Sequence, residues 1–127
     1  MSKQFIIEKT KKTPRVFFDT DAGILDIKGY SLPSDAKEFY TPLFVVVEEY
    51  LKSPQQQTEL NFYIEYFNTS SSKVILQLMK TFSVLKDMGK DIVCNWFVDE
   101  EDADMIEAGN EYKSIINFTF NVLPVKE

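Results

Sequence analysis

Between residues 60 and 98 the hydrophobic periodicity changes twice, and those changes constrain the fold more than any other feature of the chain. Leu60, Phe62, Ile64 and Tyr66 alternate with Asn61, Tyr63, Glu65 and Phe67, the period of two that marks a strand. The second face of that strand is partly apolar too. Val74, Ile75, Leu78, Met79, Phe82 and Leu85 then recur at helical spacing, which predicts a helix from about Ser70 to Lys86 that ends near Gly89. Asp91 to Val98 returns to strand, apolar enough to be central. A strand, a helix and a strand in this order form a βαβ unit, with parallel strands and a right-handed crossover.

The flanking segments fill in the sheet. Phe5 to Ile7 reads as a short first strand. Arg15 to Asp19 and Ile24 to Lys28 read as a hairpin closed by Thr20-Asp21-Ala22-Gly23, which has residues suited to a turn. Gly29 to Asp35 is expected to be a loop before a helix with Phe39, Tyr40, Leu43, Phe44, Val47, Tyr50 and Leu51 on its apolar face. Two starts for that helix compete. Asp35 with Glu38 resembles a capping box, and Thr41-Pro42 resembles a cap followed by proline at the first helical position. The acidic run from Asp99 begins the last helix, which carries Met105, Ile106 and Tyr112. Asn117 to Val122 alternates as a strand with one wet face. The order β-β-β-α-β-α-β-α-β predicts an α/β fold over residues 1–127 as one domain: a mixed sheet with about three main helices packed against it. Periodicity alone leaves open whether the helices cover one face or both.

Composition excludes several function classes. The chain has 127 residues, 44% of them hydrophobic and eleven of them phenylalanine, which suits a packed core. Its formal net charge of −6 gives no counterion-release gain on nucleic acid, so no nucleic-acid partner is expected. Histidine is absent, which removes Ser-His-Asp and Cys-His catalysis and histidine-containing metal sites. The lone Cys94 lies in an apolar run and reads as a buried small hydrophobe, and Trp96 nearby reads as core. The four glycines form neither a Walker A loop nor a dinucleotide fingerprint. Phe5-Ile6-Ile7 is far short of a signal h-region and nothing approaches a membrane span, so a reducing cytoplasm and no membrane partner are expected. No metal and no cofactor are expected.

Chemistry concentrates where the long strand meets its helix. Thr69-Ser70-Ser71-Ser72 places four hydroxyls in a row there, followed by Lys73. The first N–H groups of a helix lack internal partners, and the helix dipole favours negative charge at that end. One reading is a plain N-cap supplied by Asn68, Thr69 or Ser70. The other is a modifiable site. The first turn contains no Asp or Glu, so a phosphate on a hydroxyl would meet favourable electrostatics. A third is a small enzyme with a Thr69 or Ser70 nucleophile and Lys73 as base, which requires Lys73 to be partly buried. Leu76 and Met79 widen the apolar arc of this helix and suit either a protein-binding surface or full packing. The five carboxylates from Asp99 to Asp104 read as a solvated helix cap or a dock for a basic partner. Their spacing fails the EF-hand pattern.

Four segments in order resemble one family: Gly29-x-Ser31-x-Pro33, Phe39-Tyr40-x-Pro42-Leu43, Tyr66 through Lys73, and Trp96 through Gly109 with its acidic run. They are similar to the SiaC family of bacterial regulatory phosphoproteins, and the resemblance covers nearly the whole chain. It implies an architecture like that of STAS domains, the anti-sigma factor antagonists, with a phosphoacceptor hydroxyl at a helix start after a strand. With the common catalytic toolkits absent, no turnover of its own is expected, and the resemblance implies a partner switch. A cognate protein kinase would phosphorylate the acceptor, a PP2C-type phosphatase would remove the phosphate, and the unmodified form would bind and activate a diguanylate cyclase. Matched to this chain, the acceptor is Thr69, with Ser70 the alternative. The partner-binding set is Asn68, Ser70, Ser71, Lys73, Leu76, Asp99 and Asp102. A STAS-like antagonist acting on an anti-sigma factor would use the same acceptor with a different partner. The family commonly has Pro-Glu-Asn where this chain has Pro33-Ser34-Asp35, and an acidic residue where it has Asn110.

Overall fold

The computed structural model describes residues 4–126. Among them the chain forms six strands and four helices: β1 Gln4–Ile7, β2 Arg15–Asp19, β3 Ile24–Ser31, α1 Ala36–Tyr50, β4 Gln57–Phe67, α2 Thr69–Phe82, α3 Val84–Asp87, β5 Asp91–Asp99, α4 Ala103–Ile115 and β6 Thr119–Val125. The six strands make one sheet in chain order, β1-β2-β3-β4-β5-β6. β1, β2 and β3 pair antiparallel, and β3 through β6 pair parallel. The expected α/β fold with a mixed sheet is therefore what the chain adopts, with α1, α2 and α4 as the main helices.

Strand order decides the open question about the faces. Each helical crossover steps to the next strand in the same direction, and crossovers of one hand then put every helix on one face. The packing agrees. Phe18 of β2 meets Tyr50 of α1 and Phe82 of α2 edge-on, and Trp96 of β5 meets Tyr112 of α4. Along β4 and β5, Leu60, Phe62, Ile64, Cys94, Trp96 and Val98 are buried beneath the helices. Each Leu, Phe, Ile or Val among them contributes about 1.5–3 kcal/mol relative to exposure. Among the described residues the opposite face carries no helix. In register across it, Asp26, Asn61, Asn95 and Asn121 form a ladder of side-chain hydrogen bonds of 2.9–3.0 Å that runs from β6 to β3.

Several boundaries differ from the sequence reading. β3 does not end at Lys28 but runs on to Ser31 through an irregularity at Gly29/Tyr30. Gly29 has φ +128, and a Cβ there would come within 3.3 Å of Pro14 Cα. In β4 the ladder passes from Ile64 (opposite Gly29) to Tyr66 (opposite Tyr30), leaving Glu65 as the extra residue of a bulge. The alternation therefore flips. Tyr66, expected on the face of Leu60, Phe62 and Ile64, is 57% exposed, and Phe67 packs on Trp96 and Tyr112 instead.

α1 is one helix. Asp35 is its N-cap and accepts from the Glu38 N–H at 3.0 Å, while Pro42 lies inside at an exposed position. Thr41 is not a cap; its hydroxyl donates to the Lys37 carbonyl. The second helix is not continuous to Lys86. The Ser83 N–H and hydroxyl both donate to Lys80 O, at 3.1 and 2.6 Å, which tightens the turn and separates α2 from α3. α4 starts at Ala103 rather than Asp99, because Asp102 is its cap. β6 is shifted to Thr119–Val125, and as an edge strand it tolerates Pro124.

Candidate functional site at the start of α2

β4 delivers the chain to the start of α2, and Asn68 fixes the turn. Its φ/ψ of −85/171 is extended, as an N-cap requires. Asn68 Oδ1 accepts from the Ser71 N–H at 2.9 Å and from the Ser70 hydroxyl at 3.2 Å. Its Nδ2 donates to Pro33 O at 3.1 Å, and its own N–H donates to Ser31 O at 3.1 Å. One side chain thus ties the helix start to the end of β3 and to the loop before α1.

The four hydroxyls fall into different environments. Ser71 is fully buried. Its Oγ accepts from Ser31 Oγ at 2.9 Å, and Ser31 Oγ lies 2.7 Å from the Tyr40 hydroxyl. Burial raises the Tyr40 phenol to about 12, with the Ser31 hydrogen bond partly opposing that shift. Ser72 is half-buried, its hydroxyl donates to Thr69 O at 2.8 Å, and its carbonyl accepts from the Tyr112 hydroxyl of α4 at 2.9 Å. Ser70 is exposed but leans on the cap. Thr69 is the first helical residue and is exposed, and among the described residues its hydroxyl makes no hydrogen bond. The first turn holds no acidic residue.

The other sequence-derived residues divide between two neighbouring places. Asn68, Thr69, Ser70, Ser71 and Lys73 lie together on the first turn of α2, with half-buried Leu76 one turn on. Asp99 ends β5, and Asp102 caps α4 by accepting from the Met105 N–H at 3.1 Å. β4 and β5 are parallel neighbours, so both groups share the carboxyl edge of the sheet. Ser71 does not face outward: its burial and its hydrogen bond from Ser31 withdraw it from the surface. Lys73 is exposed, so the desolvation that a lysine base needs is missing. Cys94 is buried, which drives its thiol far above the ordinary range. Among the described residues no group of three or more His, Cys, Asp or Glu is placed to hold a metal, and no helix is long and apolar enough to cross a membrane.

Sequence reasoning missed three parts of this site. Ser31 and Tyr40 support Ser71 from different elements, a contact that local periodicity cannot show. Tyr112 reaches across from α4 to the Ser72 carbonyl. Gly109 lets α4 lie on Trp96, since a Cβ there would sit 2.4 Å from Trp96 Cδ1. The Trp96 indole in turn donates to Met105 O at 3.0 Å.

The one-faced sheet thus presents, at the start of α2, an exposed hydroxyl on a first turn that holds no acidic residue. The chain belongs to the SiaC family of regulatory phosphoproteins, whose model matches residues 7–125. It is 27% identical over 116 residues to an uncharacterised protein of Pseudomonas aeruginosa, covering 91% of this chain and 92% of that one. Its structure is similar to SiaC of Pseudomonas aeruginosa, with a TM-score of 0.87, 26% identity, and coverage of 97% of this chain and 99% of that one. It is also similar to SiaC in a crystal structure of the diguanylate cyclase SiaD in complex with its activator SiaC from the same organism, with a TM-score of 0.89, 26% identity, and coverage of 95% and 99%.

Proposed function

We propose that this chain, acting as a single domain in the cytoplasm, is the switch protein of a partner-switching system. Reversible phosphorylation of Thr69 controls its binding to, and activation of, a diguanylate cyclase. A cognate kinase adds the phosphate and a PP2C-type phosphatase removes it. The observation that carries the choice of Thr69 is its environment. Of the four hydroxyls, only Thr69 is both exposed and without a hydrogen bond among the described residues.

The local chemistry supports the switch. Phosphorylation adds about −1.5 to −2 charges and three acceptor oxygens. Only the Ser71 N–H is taken by the cap, so the preceding N–H groups and the helix dipole can receive the phosphate. The fold is therefore undisturbed and the cost falls on the complex. A partner seated over this turn would desolvate a poorly paired dianion, for a loss of about 3 kcal/mol, over a hundredfold in affinity. The test is incubation with the cognate kinase and ATP, followed by peptide mapping. Phosphate on Thr69 and none on the Thr69→Ala variant is expected. Phosphate mapping to Ser70 or Ser72 in the parent chain would move the switch off Thr69.

A further inference from the structure

One unexplained feature lies beside the hydroxyl turn, where β4 and β5 part. Their ladder ends at Phe62↔Trp96, although β4 continues to Phe67 and β5 to Asp99. The separation opens a notch of about 190 Å³ at the carboxyl ends of two parallel strands, where open α/β sheets bind their ligands. Tyr30, Tyr63, Glu65, Asp99 and Asp102 line it. The β4 bulge brings Tyr66 alongside Tyr30, and the two are 57% and 41% exposed. Large aromatic side chains left this open beside a cavity are typical anchors of a protein interface.

We propose that this notch receives an arginine side chain of the partner protein. Size comes first: the volume is below the roughly 300–1,000 Å³ of small-molecule sites, so it suits one side chain rather than a cofactor. Charge comes second. Glu65, Asp99 and Asp102 have no ion-pair partner among the described residues, and Asp99 and Asp102 are half-buried. Asp99 Oδ1 accepts from the Glu101 N–H and Asp102 Oδ1 from the Met105 N–H, so one oxygen of each carboxylate is held in place by the backbone. The three carboxylates are not placed to hold a metal. A guanidinium spreads five N–H donors over a plane, which suits carboxylates set apart from one another. Aromatic character comes third. The Tyr63 ring already carries the Lys28 ammonium at 5.4 Å, so Tyr30 supplies the face on which a guanidinium stacks. Lysine offers neither the planar stack nor the bidentate fork.

This inference rests on the reading of the edge as a partner surface, but its test does not involve Thr69 or a cyclase. The intact chain, isotope-labelled, is titrated with N-acetyl-arginine amide by NMR, with the uncharged isostere N-acetyl-citrulline amide as the control. Saturable shifts at the amides of residues 30, 65, 66, 99 and 102 are expected, half-complete in the millimolar range, with none from citrulline. Asp99→Asn keeps the oxygen that accepts from Glu101, and Glu65→Gln changes only charge. Each should weaken arginine about tenfold while the rest of the spectrum stays unchanged. Absence of saturable shifts, equal shifts from citrulline, or unchanged affinity in both variants would overturn the proposal and leave the Thr69 switch standing. A Thr69 failure with arginine binding intact would separate the two the other way.

Discussion

Asn68→Ala should be the most damaging single change at the first turn of α2, and its size follows from the bonds it removes. The Asn68 cap on the Ser71 N–H is worth about 1 kcal/mol, within the 0.5–2 kcal/mol range for such caps. The Nδ2 bond to Pro33 O adds about 1 kcal/mol, and more if the carbonyl of buried Pro33 is left without a donor. The Ser70 hydroxyl is exposed, so water replaces its lost acceptor at little cost. The sum is about 2–3 kcal/mol, a large part of the roughly 5–15 kcal/mol that holds a domain folded. Asn68→Asp keeps the acceptor and places a favourable charge at the helix start, but loses the donor to Pro33, for a net loss of about 1 kcal/mol. Thr69→Ala removes no hydrogen bond of the hydroxyl and should stay within about 0.5 kcal/mol of the parent. Urea unfolding of the four proteins, with equal slopes, measures the series. Equal losses for Thr69→Ala and Asn68→Ala would show that Asn68 is not the cap.

Gly109→Ala places a Cβ 2.4 Å from Trp96 Cδ1 and 2.8 Å from Nε1; because the indole is buried and bonded to Met105 O, α4 must shift, and a loss of about 1–3 kcal/mol with altered tryptophan fluorescence is expected. Alkaline pH should also unfold the chain. Tyr40 is raised to about 12 by burial, and burial likewise raises Tyr112, with the charges of Tyr40 and Glu111 adding to it. Folded values above the unfolded value near 10 mean that stability is intact below about pH 10 and falls as pH rises toward 12. Unfolding monitored by far-UV circular dichroism should therefore track tyrosinate absorbance, and full stability at pH 12 would contradict the buried-phenol account.

Legibility in the sequence followed the range of the forces involved. Alternation over Leu60 to Ile64 and helical spacing over Val74 to Phe82 reflect burial on one face, so the mixed sheet and its three main helices were readable. The bulge at Glu65 was not, because alternation alone places Tyr66 with Ile64. Only the pairing with β3 shows the slip. The break at Ser83 turns on a local hydroxyl bond to Lys80, which competes with helix spacing without altering it. The candidate hydroxyls were visible as a run, but the burial of Ser71 was not. Ser71 is withdrawn by Ser31 and Tyr40, 40 and 31 positions earlier in the chain. The one-sided helix cover was also hidden, because strand order is set by the whole topology. The signal for the open face was present in Asp26, Asn61, Asn95 and Asn121, polar residues near the middle of otherwise apolar strands.

The central claim is that the charge state of Thr69 sets partner activity. The direct measurement is cyclic-di-GMP synthesis by the cognate diguanylate cyclase with three forms of this protein: unmodified, stoichiometrically phosphorylated on Thr69 as verified by intact mass and peptide mapping, and Thr69→Ala after the same kinase treatment. The account predicts activation by the unmodified form, an apparent affinity more than about a hundredfold weaker for the phosphorylated form, and full activation by kinase-treated Thr69→Ala. Equal activation by the unmodified and Thr69-phosphorylated forms, or loss of activation in kinase-treated Thr69→Ala, would contradict it.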